Sequence, residues 1–219
     1  MSEVTANELT VLSAALGETI APAAAQQLVR YLDLLSRWND TYNLTSVRTR
    51  EGMLLQHLAD CLAIVQPLQT HLHGRPGSIC LLDVGSGGGL PGVVLATCLP
   101  AVQVTCVDAV AKKDAFVRQV AAELVLPNLH SAHCRVEDLR APTFQIITSR
   151  AFGSLADFTR LTGRLLSPGG IWMAMKGKTP LDEIAALPPD IEVFHVEPLQ
   201  VPSLNAHRCL VWMKTRKPE

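Results

Sequence analysis

The chain has 219 residues, a formal net charge of −1 and an apolar content of 48%. This composition is typical of a folded protein with one domain, or one domain with an extension, and no apolar run approaches the roughly 20 residues of a membrane span. The near-neutral charge argues against a non-specific polyanion binder. Six scattered cysteines without a C-x-x-C pair indicate reduced thiols, so we expect a cytoplasmic protein without disulfides.

The first seventy or so residues predict helices. Residues 5–8, Thr-Ala-Asn-Glu, form a capping box ahead of leucines at helical spacing. Pro22 opens a second helix that should end near Trp38, and a third helix should begin near Glu51. These segments predict a helical region before the first strand.

A break rich in glycine, proline and histidine at residues 71–77 separates this region from the rest. We therefore expect an N-terminal helical extension, residues 1–73, and a main domain, residues 74–219, packed as one compact unit. Candidate strands in the main domain are 79–84, 103–108, 129–133, 145–149, 171–176, 192–197 and 208–214. Candidate helices are 91–99, 112–124, 155–165 and 181–186. Alternating strands and helices predict an α/β fold with a mostly parallel sheet of seven strands, closed by an antiparallel pair because no helix separates the last two.

A glycine-rich turn follows the first predicted strand. Residues 87–92 match the G-x-G-x-x-G pattern of dinucleotide-binding folds, and Asp108 lies about twenty residues further on. In a dinucleotide fold the first glycine comes directly off the strand. Here that residue is Gly85, and the third glycine would then fall on Leu90. The spacing therefore fits a dinucleotide poorly.

The same turn also reads as acid-x-Gly-x-Gly, with Asp83, Gly85 and Gly87. This pattern resembles the S-adenosylmethionine loop of Rossmann-like class I methyltransferases. Asp83 can help to bind the cationic amino-acid part of that cofactor through water, and the glycines let the backbone approach it. Asp108, at the end of the second strand, can accept hydrogen bonds from both ribose hydroxyls. We prefer this interpretation; a dehydrogenase that binds NAD is the alternative.

The residues after the fourth strand, 149–152, are Ser-Arg-Ala-Phe. They lack the Asn/Asp-Pro-Pro-aromatic motif of exocyclic-amine methyltransferases and the Pro-Cys nucleophile used at pyrimidine C5. No constellation predicts a covalent intermediate or a bound metal. In-line transfer to a nucleophile with a free lone pair, such as guanine N7, needs only alignment and electrostatics. Arg150 is placed to touch the base or a phosphate, which makes it the candidate catalytic residue.

Four separated segments are together distinctive: residues 37–48 (RWNDTYNLTSVR), 57–60 (HLAD), 83–92 (DVGSGGGLPG) and 149–152 (SRAF). They resemble the small-subunit ribosomal RNA guanine-N7 methyltransferases, a family also called glucose-inhibited division protein B. The resemblance covers nearly the whole chain.

The resemblance implies methylation of guanine 527 of 16S rRNA at N7, with S-adenosyl-L-methionine as donor. It also implies cofactor contacts at Gly85, Leu90, Val136, Glu137 and Arg150. Ser86, Gly88 and Ala109 depart from the usual spelling of the family. A module that only senses S-adenosylmethionine, without transfer, is the remaining alternative.

An enzyme that acts on an rRNA loop needs phosphate contacts and a place for the base. Candidate phosphate contacts are Arg48, Arg50, Lys112, Lys113, Arg150, Lys176, Lys178 and Arg208, and candidate base-pocket residues are His57, Asn43 and Phe152. The near-neutral charge predicts weak binding to naked RNA. We expect a monomer that recognises 16S rRNA within a small-subunit particle.

Overall fold

The computed structural model of the protein describes residues 5–75, 77–202, 204 and 206–216. Its strands are β1 (Ile79–Val84), β2 (Val102–Asp108), β3 (Leu129–His133), β4 (Phe144–Arg150), β5 (Leu166–Lys176), β6 (Ile191–Leu199) and β7 (Arg208–Thr215). They form one sheet in the order β3-β2-β1-β4-β5-β7-β6. The pairs from β3 to β5 are parallel, and β7 is antiparallel to both β5 and β6. The predicted seven-stranded, mostly parallel sheet with an antiparallel closing pair is confirmed.

Helices cover both faces of this sheet. They are α1 (Ala6–Ala15), α2 (Pro22–Tyr42), α3 (Arg50–Met53), α4 (Asp60–Leu62), α5 (Val65–Leu72), α6 (Gly92–Cys98), α7 (Ala111–Glu123), α8 (Leu155–Thr162) and α9 (Leu181–Ala185). A π-helical turn, Leu54–Ala59, joins α3 to α4. Nearly every residue of β1 is buried and apolar, as expected for a parallel strand covered on both faces.

The N-terminal helices pack into the same core as the sheet. One buried cluster contains Leu28 and Leu32 of α2 together with Val93 of α6, Phe116 of α7 and Met173 of β5. A second cluster fills the opposite face of the sheet. The extension is therefore a layer on the sheet, while the boundary between residues 73 and 74 stays a prediction. In the described part of the chain, no helix combines the length and the apolar character needed to cross a bilayer.

Two predicted boundaries in the helical region were wrong, and packing of aromatic rings accounts for both. Helix α2 runs past Trp38 to Tyr42, whose ring lies 4.8 Å from that of Trp38 one turn away. The break begins two residues later than predicted, because His71 is still in α5 and its ring lies 5.2 Å from that of Trp212. The capping box at Thr5 is confirmed: its side chain accepts the Glu8 N–H, and Glu8 accepts the Thr5 N–H.

Boundaries around the sheet also differ, and three of them are informative. Helix α6 begins at Gly92, with Pro91 as the residue before it. Helix α8 ends at Thr162, and a short 3₁₀ turn, Gly163–Leu165, leads directly into β5. That strand begins at Leu166, five residues before its predicted start, because Phe144 of β4 pairs with Leu166 across an irregularity in the register. Such a bulge hides the start of a strand from an alternation pattern.

Candidate active site

The glycine turn after β1 folds back onto the end of β2. Gly85 and Gly87 have φ of 66° and 58°, in the left-handed region that favours glycine. The Gly85 N–H donates to the Val107 carbonyl at 2.9 Å, and the Gly87 N–H donates to Asp108 Oδ2 at 3.0 Å. The turn therefore brings its backbone against the carboxylate at the end of β2.

Asp83 lies beneath this turn and is fully buried. Its Oδ2 accepts the Gly92 N–H at 2.8 Å, while its Oδ1 has no hydrogen-bond partner among the described residues. Burial raises the pKa of Asp83 to about 7. A Cβ at position 92 would lie 2.9 Å from Asp83 Oδ2 and would also overlap Cys106 Sγ, so only glycine fits. The acid of the motif thus joins β1 to the start of α6 and lines neither cavity described below.

Asp108 faces the open side of the turn. Its Oδ1 accepts the Val110 N–H at 2.9 Å, its Oδ2 accepts the Gly87 N–H, and Lys113 Nζ lies 3.5 Å away. The side chain is 8% exposed, and it lines a cavity of about 340 Å³ that we call the β2 cavity. Each carboxylate oxygen keeps a further lone pair for a ligand hydroxyl.

The far wall of the β2 cavity is a short 3₁₀ turn, Val136–Asp138, that follows β3. Val136 is buried and Glu137 is exposed, and both line the cavity. Arg164 donates from Nη2 to the carbonyls of Val136, Glu137 and Leu139 at 3.1, 2.7 and 2.9 Å. This arginine fixes the shape of the wall, and no local pattern in the sequence signals its role.

A second cavity, of about 450 Å³, shares Gly85 with the first and lies at the end of β4. Gly87, Leu90 and Arg150 line it, so we call it the Arg150 cavity. The two cavities together offer a carboxylate, an apolar wall, bare backbone at the turn and a cation. Along the sheet edge from β3 to β1, the apolar wall matches the adenine, the carboxylate the ribose and the turn backbone the amino-acid part of S-adenosylmethionine, and the cation lies next in line at the end of β4.

Arg150 is held by the π-helical turn. Its Nη1 donates to the Gln56 carbonyl at 3.0 Å and lies 3.6 Å from Asp60 Oδ2. The other oxygen of Asp60 accepts from Arg208 Nε at 2.6 Å. Asp60 is only 4% exposed, and the sequence analysis assigned it no role. A carboxylate beside leucines and a cysteine on an otherwise apolar helix is the signal that could have identified it.

His57 lines the same cavity and is 8% exposed. Burial, together with the Arg150 guanidinium, lowers the pKa of His57 to about 4, so the imidazole is neutral near pH 7. Its Nδ1 faces Arg150 Nη1 at 3.5 Å and its Nε2 lies 2.8 Å from Thr45 Oγ1. We infer that Nε2 carries the proton, because the guanidinium can only donate to Nδ1.

The predicted RNA-contact residues separate into two groups. Arg150, Lys176 and Arg208 line the Arg150 cavity, where Lys176 also binds Glu183 at 2.8 Å. The others lie outside the two cavities: Arg48 donates to Asn43, Arg50 pairs with Asp33, Lys112 donates to the Tyr42 carbonyl, Lys113 pairs with Asp108, and Lys178 is exposed.

Of the three predicted base-pocket residues, only His57 lines the Arg150 cavity. Phe152 lines the β2 cavity instead, and Asn43 lines neither. In the described ranges, no group of three or more His, Cys, Asp or Glu side chains is arranged to hold a metal ion.

Solved structures resemble the fold. TrmN from Thermus thermophilus superposes with a TM-score of 0.57 at 22% identity, covering 71% of this chain and 49% of that one. A SAM-dependent methyltransferase from Thiobacillus denitrificans, in complex with S-adenosyl-L-homocysteine, gives a TM-score of 0.53 at 13% identity, covering 69% and 90%. The fold is that of the Rossmann-like class I S-adenosylmethionine-dependent methyltransferases, as predicted.

Sequence comparison defines the family. The model of the GidB family, described as rRNA small subunit methyltransferase G, matches residues 24–211. A ribosomal RNA small subunit methyltransferase G from Polaromonas sp. is 57% identical over 192 residues, covering 87% of this chain and 84% of the relative. One from Bordetella avium is 54% identical over 198 residues, covering 89% and 88%. The chain belongs to the GidB family of S-adenosylmethionine-dependent methyltransferases, which confirms the predicted family and cofactor.

Proposed function

We propose that this protein methylates guanine 527 of 16S rRNA at N7, by in-line transfer from S-adenosylmethionine without a covalent enzyme intermediate. The observation that carries the proposal is the state of the acid–base groups around the Arg150 cavity. Among the described lining residues, Asp60 lies between two guanidiniums and His57 between Thr45 and Arg150. Neither is poised to remove a proton, and guanine N7 has no proton to remove.

The bound cofactor supplies an electrophilic methyl group on a sulfonium. In our proposal the carboxylate of Asp108 binds the ribose hydroxyls and Val136 covers the adenine face. Glu137 lies at the edge of the adenine. Both side chains line the β2 cavity beside Asp108, which supports this arrangement.

At the other end, the backbone of Gly85, Gly87 and Leu90 borders the amino-acid part in this proposal. Asp83 acts from behind the turn by holding the Gly92 N–H, and any cofactor contact of its own passes through water. Arg150 is the proposed catalytic residue, because its guanidinium lines the cavity at the carboxyl end of β4 and can donate to guanine O6 while leaving N7 free.

The partner that we propose is 16S rRNA within a small-subunit particle in the cytoplasm, bound by a monomer. A formal net charge of −1 supports this choice, since naked RNA binding requires many uncompensated cations. We also propose that residues 1–73 and 74–219 act as one unit. The Tyr31 hydroxyl of α2 donates to the Gly88 carbonyl at 2.8 Å, which links the extension to the cofactor turn.

The test is mass mapping of 16S rRNA from cells that lack this protein. We expect one N7-methylguanosine, at position 527, to disappear and to return with the wild-type gene. Loss of a methyl group at another position or atom would refute the target. In a second arm, purified protein should methylate unmodified small-subunit particles faster than protein-free loop RNA. Equal rates on both would refute the requirement for the particle.

A further inference from the structure

The side chain of Asp60 occupies an unusual place in the Arg150 cavity. It stands where the π-helical turn Leu54–Ala59 passes into α4, and a π-helical turn inside a helix is frequently found at functional sites. It is 4% exposed, yet it lines the cavity. A buried carboxylate requires a strong compensating partner, and Asp60 has two.

The two oxygens of Asp60 bind different arginines, one from β4 and one from β7. Oδ1 accepts from Arg208 Nε at 2.6 Å, and Oδ2 lies 3.6 Å from Arg150 Nη1. Arg150 ends β4, whereas Arg208 begins the antiparallel strand β7, and the two side chains are 24% and 25% exposed. One carboxylate therefore holds two partly exposed cations that would otherwise repel each other.

The two arginines line the same cavity but have different neighbours. Arg150 lines the cavity with Gly85 and Leu90 of the cofactor turn. Arg208 donates from Nη1 to the His207 carbonyl, and its Nη2 has no hydrogen-bond partner in the described part of the chain. Lys176 lines the same cavity but binds Glu183 at 2.8 Å, so the free donor of Arg208 is the group that fits a phosphate of the substrate strand.

We infer that Asp60 is a positioning residue that holds Arg150 between the cofactor turn and the target guanine, and Arg208 toward the RNA phosphate, in one fixed geometry, so that binding of the rRNA phosphate aligns the guanine with the methyl donor. The inference rests on the proposed function. It goes beyond it because it assigns coupling of the two binding events to a residue that touches neither ligand.

The test uses full-length Asp60→Asn, Arg208→Gln and the double variant, with Asp157→Asn as a matched control. Asp157 also binds an arginine, Arg160 at 2.8 Å, but this pair is on the surface with side chains 53% and 65% exposed. The double variant restores the charge balance of the cavity, so it keeps the test valid if Asp60→Asn alone fails to fold.

We expect Arg208→Gln to raise KM for small-subunit particles about tenfold with little change in the Kd of S-adenosylmethionine. Asp60→Asn should raise that KM similarly, lower kcat about tenfold and weaken cofactor binding several-fold, because both arginines are released. The double variant should be no worse than Asp60→Asn, since the second change removes a group already out of place. The control should match wild type.

If Asp60 only stabilised the fold, Asp60→Asn would lower Tm without these changes in KM, kcat and the Kd of S-adenosylmethionine. The inference is wrong if Asp60→Asn and Arg208→Gln raise KM independently, so that their effects multiply in the double variant. It is also wrong if KM and kcat of Asp60→Asn stay within twofold of wild type. If the wild-type protein methylates no particle, the proposed function fails by itself. The Kd of S-adenosylmethionine, measured calorimetrically, then decides: weaker binding by Asp60→Asn supports the clamp on Arg150, and unchanged binding refutes it.

Discussion

The β2 cavity and the Arg150 cavity are neighbours that share one glycine, but they are built in different ways. The β2 cavity is lined mainly by residues at or just after the ends of strands β1, β2 and β3, such as Asp108 and Val136. The Arg150 cavity depends on side chains that meet from distant parts of the chain: Asp60 and Arg208 are 148 positions apart. In the proposed function, the site for the adenosine part of the cofactor is therefore built by strand ends and turns, while the site for its amino-acid part and the substrate depends on the packed fold.

The largest effect on methyl transfer should come from the Arg150 cavity, which depends on side chains. Arg150→Ala removes the cation nearest the cofactor turn and leaves Asp60 with one partner. We expect methyl transfer to fall about 100-fold or more, the magnitude typical of removing one preorganised electrostatic group. The measurement is single-turnover methylation of small-subunit particles, with circular dichroism to verify the fold. Wild-type turnover in a folded Arg150→Ala protein would refute the role of Arg150.

A second prediction concerns pH and His57 in the same cavity. The pKa of His57 is lowered from 6.5 to about 4, so between these values the unfolded chain binds a proton that the folded protein does not. This contribution to the free energy of unfolding is therefore present above pH 6.5 and is lost as the pH falls through the folded pKa, by up to about 3 kcal/mol in total.

The comparison of wild type with His57→Gln isolates this contribution, because Asp83, whose raised pKa gives a slope of opposite sign, is present in both proteins. We expect the stability advantage of wild type over the variant to shrink in urea unfolding between pH 7 and pH 4.5. His73→Gln, at an exposed site, is the control. Parallel pH profiles for wild type and His57→Gln would show that burial does not hold the imidazole neutral.

We expect a smaller effect from a substitution in the β2 cavity. Asp108→Asn places an amide nitrogen where one oxygen now accepts a backbone N–H, from either Gly87 or Val110, and it removes the negative charge that we propose binds the ribose. We expect the Kd of S-adenosylmethionine to rise about 10- to 100-fold, since hydrogen bonds to charged groups contribute about 1.5–3 kcal/mol. Isothermal titration calorimetry measures it, with the exposed Asp182→Asn as control. An unchanged Kd would place the ribose elsewhere.

The same contrast explains what the sequence could and could not predict. The order of strand, turn and helix and the position of Asp108 at the end of β2 follow from short-range patterns, and the structure has them. The bulge that starts β5 at Leu166 and the contact of Arg164 with the Val136 turn depend on tertiary pairing, which no local pattern contains. The predicted cofactor contacts stay predictions, and the burial of Asp83 shows why a motif residue need not face the ligand.

The smallest expected effect concerns whether the conformation of the glycine turn depends on its contact with the N-terminal extension. Tyr31 is fully buried, and its hydroxyl donates to the Gly88 carbonyl at 2.8 Å from the N-terminal extension. Tyr31→Phe keeps the ring and leaves that carbonyl without its partner, so we expect a loss of about 0.5–1.5 kcal/mol in urea unfolding. Tyr42→Phe, at a ring that is 46% exposed, is the matched control.

If the Kd of S-adenosylmethionine for Tyr31→Phe rises by more than the loss in the free energy of unfolding explains, the extension holds the turn in its binding conformation. The glycine turn then depends on tertiary packing as much as the side chains of the Arg150 cavity do, and the proposed difference in construction between the two cavities is wrong. If only the free energy of unfolding changes, the turn keeps its shape through its own glycines and Asp108. The difference in construction between the two cavities then also governs how each responds to mutation.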